Sequence, residues 1–114
     1  MKTLVDIKLP NDQNLGLKKL KQSIMEVIPN CEIILYGLEE KNEYIDTVGF
    51  DILVLIDDDV SSESKNNLRN TKIMLELKFD IIFSIMLVKH SVWKKELVRS
   101  LPGQWNIDEE GVLL

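Results

Sequence analysis

The chain has 114 residues, 45% of them hydrophobic and 29% charged, which suits one compact core and leaves no length for a second. Nineteen acidic residues against fourteen basic ones give a formal charge of -5, so binding to long nucleic acid by counterion release is disfavoured, while a nucleotide held through a metal stays open. The apolar runs fall short of the roughly 20 residues that cross a bilayer, and MKTLVDIKLP is not patterned like a signal peptide, so the expectation is a cytoplasmic domain with no membrane contact.

In chain order, Thr3 to Leu9 alternate weakly and are expected to form an arm or extra strand within residues 1-12, ahead of a core over about 15-114. From Asn14 to Ile28 the residues Leu15, Leu17, Leu20, Ile24, Val27 and Ile28 recur at gaps of three and four, which predicts an amphipathic helix with Lys18, Lys19 and Lys21 on its wet side. Pro29-Asn30 stops it. Cys31 to Tyr36 reads as a short buried strand that Gly37 ends, with Cys31, the lone cysteine, a reduced thiol near the core. Phe50 to Ile56, FDILVLI, is the most hydrophobic strand and is expected to be central. The link between these strands has no clear helical period, which favours a hairpin-like or short-helix connection over a full crossover helix.

Ser61 or Ser62 is placed to cap a second helix, with Glu63 in its first turn, Leu68, Ile73, Leu75 and Leu77 as apolar positions, and an end near Lys78. Asp80 to Val88 is a further strand. Ser91 is then expected to cap a third helix that turns Val92, Trp93, Leu97, Val98 and Leu101 inward and stops at Pro102-Gly103. Val112, Leu113 and Leu114 are apolar enough to pack on the domain. The sum is one α/β (α+β) domain over residues 1-114, a small mixed sheet covered by helices.

The segment Tyr36-Gly37-Leu38, followed by ten residues and Gly49-Phe50-Asp51 at the start of a hydrophobic strand, resembles the nucleotidyltransferase superfamily of the DNA polymerase beta kind in its minimal form. That family's pattern is a Gly-Ser pair, ten residues and Asp-x-Asp. Phe79 to Ser84 resembles its third main strand, and Asn106 to Leu114 resembles its Asn-Ile-x-x-Glu-Gly-Val close. The resemblance implies a nucleotidyltransferase-like sandwich in which carboxylates on adjacent strands hold magnesium, neutralising the phosphates of ATP while a hydroxyl attacks in line. Aspartates one residue apart on a strand point the same way and can share a metal. The Gly-Ser turn would open a helix N-terminus whose N-H groups meet the triphosphate. The resemblance therefore assigns nucleotide contact to Gly37 and Leu38, and metal ligation and catalysis to Asp51 and Asp80, with Ser84 competing for the third-acid position.

The pattern is broken where the chemistry is most demanding. Leu38 stands in place of the serine, Gly49 in place of the first aspartate and Asn42 in place of a frequent glycine. Oxyanion-type contacts are worth about 3 to 4 kcal/mol each, so such losses predict absent or very weak catalysis. Glu39, Glu40, Lys41 and Glu43 add net negative charge to the loop that would cover a nucleotide. Elsewhere the bland readings lead: Asp57-Asp58-Asp59 as a solvated turn, His90 as a surface or capping residue without a partner nearby in sequence, and Trp93 as core. Trp105 is open between core and base-stacking roles. The resemblance implies a catalytically degenerate domain that works by protein binding, antitoxin-like, with a HEPN-type helical partner and a homodimer also compatible. The alternative is an active enzyme using Mg2+ and ATP to modify a protein or small-molecule hydroxyl.

Overall fold

The computed structural model describes residues 2-39, 41, 43-44, 46-93 and 111-114. Its elements are β1 (Lys2–Thr3), α1 (Asn11–Val27), β2 (Glu32–Glu39), β3 (Val48–Ile56), α2 (Ser62–Phe79), β4 (Ile81–Lys89), α3 (His90–Trp93) and β5 (Val112–Leu113). The strands form one mixed sheet in the order β1-β5-β2-β3-β4, so the mixed α/β architecture is as expected and β3 is indeed interior. β2 and β3 pair antiparallel, as a hairpin-like link requires. β3 and β4 pair parallel, joined by α2 as the crossover. The arm resolves into an edge strand parallel to β5 and a 3-10 turn, Leu4–Asp6, where the Asp6 carboxylate accepts from the Thr3 N-H at 2.8 Å.

Helix α1 begins three residues before the predicted Asn14. Pro10 has φ -53° and its carbonyl accepts from the Asn14 N-H at 3.0 Å, so the first turn forms on polar residues that carry no apolar period. Leu15, predicted inside, is exposed, and Gly16 is buried in its place. Gly16 lies against β4 and the end of α2: a Cβ there would sit 3.1 Å from Ile81 Cδ1 and 3.4 Å from Phe79 Cγ. In α2 the Ser61 hydroxyl accepts from the Ser64 N-H at 3.1 Å, as a cap should. Only Leu68 and Leu75 of the predicted inward set are buried there; Ile73 and Leu77 face out.

Both long helices cover one face of the sheet. Leu17, Leu20 and Ile24 from α1 and Leu68 and Leu75 from α2 meet Ile33, Leu35, Phe50, Ile52, Val54 and Phe83. Phe50 and Phe83 are paired neighbours on β3 and β4, with ring centroids 6.2 Å apart. On the opposite face Ile34, Leu53 and Leu55 pack with Trp93, which is buried as expected. α3 starts at His90, so Ser91 lies inside it rather than capping it. The remainder of the predicted third helix with Leu97, Val98 and Leu101, its Pro102-Gly103 stop, Trp105, Asn42 and the tail up to Glu110 lie outside the described residues. Among those described, no helix is long and apolar enough to cross a membrane.

Truncating Phe83, 1% exposed, to alanine should cost about 3-5 kcal/mol in urea unfolding, whereas Leu77→Ala, at a site 82% exposed, should stay within about 0.5 kcal/mol. Equal losses at the two sites would contradict this orientation of α2.

Candidate functional site

The pleat of β3 decides what each face receives. Val48, Phe50, Ile52, Val54 and Ile56 turn to the helices, and Gly49, Asp51, Leu53 and Leu55 to the other side. Asp51 is the one exposed residue of the strand. Opposite it β2 carries a bulge: Leu35 pairs with Ile52 and Gly37 with Asp51, leaving Tyr36 as the extra residue. Tyr36 packs with Ile34 and Leu53 on the Asp51 side. Burial first, and the Asp51 carboxylate second, push its phenol above the ordinary tyrosine value.

Gly37 has no side chain because Asp51 occupies that space. A Cβ at Gly37 would collide with the Asp51 carboxylate and lie 3.0 Å from the Asp51 Cβ. Rotation of the aspartate could relieve the first contact but not the second. Gly49, by contrast, has room: the nearest atoms to a built Cβ are those of Glu39 and the Ile82 carbonyl, at 3.6-3.9 Å. Across the parallel ladder the partner of Asp51 is Ser84. Glu39, Asp46, Gly49, Asp51, Ile82 and Ser84 border a hollow of about 320 Å³ on this face.

The structure thus brings Gly37 and Asp51 side by side and leaves Leu38 and Asp80 apart from them. Leu38 pairs with Phe50 and borders a second hollow, of about 370 Å³, with Lys8, Lys41 and Asp80. Asp80 does not open β4. It caps α2 in the left-handed conformation, φ 56°, and its carboxylate meets Lys41 Nζ at 3.4 Å. Aspartate is among the few residues that tolerate this geometry. Of the two contenders for the third-acid position, Ser84 is the neighbour of Asp51. Gly37 and Leu38 also lie within a strand, so the helix N-terminus expected to follow them for phosphate contact is not found among the described residues.

The described residues on the Asp51 face do not fit the two-metal chemistry of the superfamily the sequence resembles. Among the described residues no group of three or more His, Cys, Asp or Glu side chains converges closely enough to hold a metal. A triphosphate fares no better there, because the bordering charges are Glu39, Asp46 and Asp51, with no lysine or arginine among the residues that border the hollow.

The remaining candidates are taken up by structure. His90 Nδ1 lies 3.0 Å from Asp57 Oδ1 and its Nε2 lies 3.3 Å from Glu32 Oε1, joining the start of β2, the end of β3 and the β4-α3 junction. These partners are 33 and 58 residues away in sequence, so no local signal announces them. Asp59 pairs with Lys89 at 3.0 Å, and the acidic triplet is therefore tied to the end of β4. Cys31 is half-buried against the core, and burial pushes its thiol above the ordinary cysteine value, as suits an unreactive thiol. No protein-family model matches the chain, and no curated protein and no solved structure matches it either.

Gly37→Ala should destabilise the domain by about 1-3 kcal/mol, and much of that loss should disappear in the Gly37→Ala, Asp51→Gly double variant. Additive losses in the unfolding cycle would mean the two residues are not apposed. In a Tyr44→Phe background, Asp51→Asn should lower the Tyr36 phenol toward the ordinary value without reaching it, since burial remains. Alkaline titration of tyrosinate absorbance reads this directly. Because the folded phenol is raised, its contribution to stability is full below the unfolded tyrosine value and is lost as pH climbs through the folded one.

Proposed function

We propose that this chain is a nucleotidyltransferase-like domain that has given up the family reaction and acts in the cytoplasm by binding another protein, in the manner of an antitoxin with a HEPN-type helical partner. The observation that carries the loss of catalysis is the setting of Asp51. Two residues before it on the same face stands Gly49, and beside it on β4 stands Ser84, so Asp51 is the one carboxylate left at the three positions where the family places its metal acids, and the described residues hold no converging set for a two-metal transfer. The acidic border of the hollow and the placement of Leu38 on the other side of the hairpin support the same reading. The binding role follows from the resemblance, since relatives of this kind often pair with a HEPN-type helical protein.

Titration of the chain with magnesium-ATP in a calorimeter should give no binding heat, and incubation with labelled ATP and acceptor proteins should transfer no label. Micromolar binding that Asp51→Asn abolishes would overturn the reading in favour of an active enzyme. A gain-of-ligand variant checks the geometry independently. Gly49→Asp should fold like the parent, because a Cβ there has ordinary contacts only. It should also bind Mn2+ at least about tenfold more tightly than the parent, as two carboxylates on one face allow. No gain in Mn2+ relaxation would mean that residues 49 and 51 do not share a face.

A further inference from the structure

The outer edge of the sheet at β4 carries an arrangement separate from the Asp51 face. β4 is the last strand in the order, and the N-H of Phe83 donates to Glu76 Oε2 at 2.9 Å, so the Phe83 backbone points away from β3. Backbone direction alternates with a period of two, and Ile85 and Leu87 therefore turn their N-H and C=O groups the same way. Among the described residues neither makes a hydrogen bond outside the β3-β4 ladder. Glu76, held by Lys72 at 3.3 Å, closes the first part of this edge, and among the described residues nothing pairs with the rest.

Alongside the open part runs a groove of about 210 Å³ between β4 and α2. Its floor is Leu68, Ile85 and Leu87, and its rim is Lys65, Arg69 and Lys72, one cationic strip along α2. Lys65 and Arg69 are exposed and have no ion-pair partner among the described residues. Lys72 is paired with Glu76, and the two remaining cations, Lys65 and Arg69, on one strip of a chain with net charge -5 give the groove a sign opposite to that of the whole molecule.

We propose that this edge is a docking site for an extended segment of a partner protein, added as a further strand beside β4, with apolar side chains on Leu68, Ile85 and Leu87 and flanking acidic ones on Lys65 and Arg69. Main-chain hydrogen bonds to Ile85 and Leu87 supply the register, and the alternate side chains of the segment supply the choice of sequence. The acidic character follows from the rim; electrostatic complementarity speeds encounter and excludes basic competitors. Glu76 sets where the added strand stops, since it already holds the Phe83 N-H. This inference does not rest on the reading of the Asp51 face.

The probe is a blocked peptide, Asp-Thr-Val-Thr-Val-Thr-Asp, titrated into the isotope-labelled chain. Binding with a Kd on the order of tens of micromolar is expected, with the largest amide shifts at Ile85 and Leu87. The Lys65→Glu, Arg69→Glu double variant should weaken it by about tenfold or more. A control peptide with prolines in place of both valines and the central threonine should not bind, having lost the donors of three successive residues. Asp51→Asn should leave peptide binding unchanged, which separates this site from the other face. The proposal fails if the two amides do not shift or if the proline control binds equally well. Dimerisation of the chain through β4 in sedimentation, or a single-stranded oligonucleotide outcompeting the peptide on the same strip, would equally replace it.

Discussion

The register of β3 is the constraint on which the rest of the molecule depends. Buried on both faces along Ile52 to Ile56, the strand is held by an antiparallel partner on one side and a parallel one on the other. Each fully buried aliphatic or aromatic side chain contributes on the order of 1.5-3 kcal/mol, and a slip by one residue would turn Phe50, Ile52 and Val54 away from α1 and α2. The same slip would drive the Asp51 carboxylate under the helices, where an unpaired charge is costly. One exposed acid in an otherwise apolar strand thus fixes which side is open. Among the described residues the cover on that side, centred on Trp93, sits over Leu53 and Leu55, farther along the strand than the hollow at Gly49 and Asp51.

What could be read from the sequence follows from how local each signal is. The hydrophobic period located α1, β3, α2 and β4 to within a few residues because burial of one stripe or one face leaves its mark in neighbouring positions. It missed the polar first turn of α1, which a proline and its carbonyl hold, and it took Leu15 as inward because it could not see that Gly16 is pressed against Ile81. In α2 it took Ile73 and Leu77 as core, since an exposed leucine carries the same letter as a buried one.

The site was legible in part for the same reason. The resemblance to the nucleotidyltransferase pattern put Gly37 and Asp51 in one constellation, and they are paired. The spacing held no information on the parallel register that sets Ser84 rather than Asp80 beside Asp51, because register arises from a crossover through α2. Asp80 looked like the first residue of a strand, whereas a positive φ makes it the end of a helix. His90 with Asp57 and Glu32 joins three elements by contacts between distant positions. Such clusters become visible only when strand order is known.

The bulge at Tyr36 carries one more implication. Leu35 meets Ile52 and Gly37 meets Asp51, so the two segments of β2 on either side of the tyrosine would form an unbroken ladder if it were excised. Tyr36 is a spliced-in residue: its deletion would keep every remaining cross-strand partner and remove only a local kink and the aromatic ring beside the carboxylate. The architecture and the surroundings of Asp51 are in that sense separable, and a shortened hairpin could carry the same scaffold with a different neighbour for the exposed acid of β3.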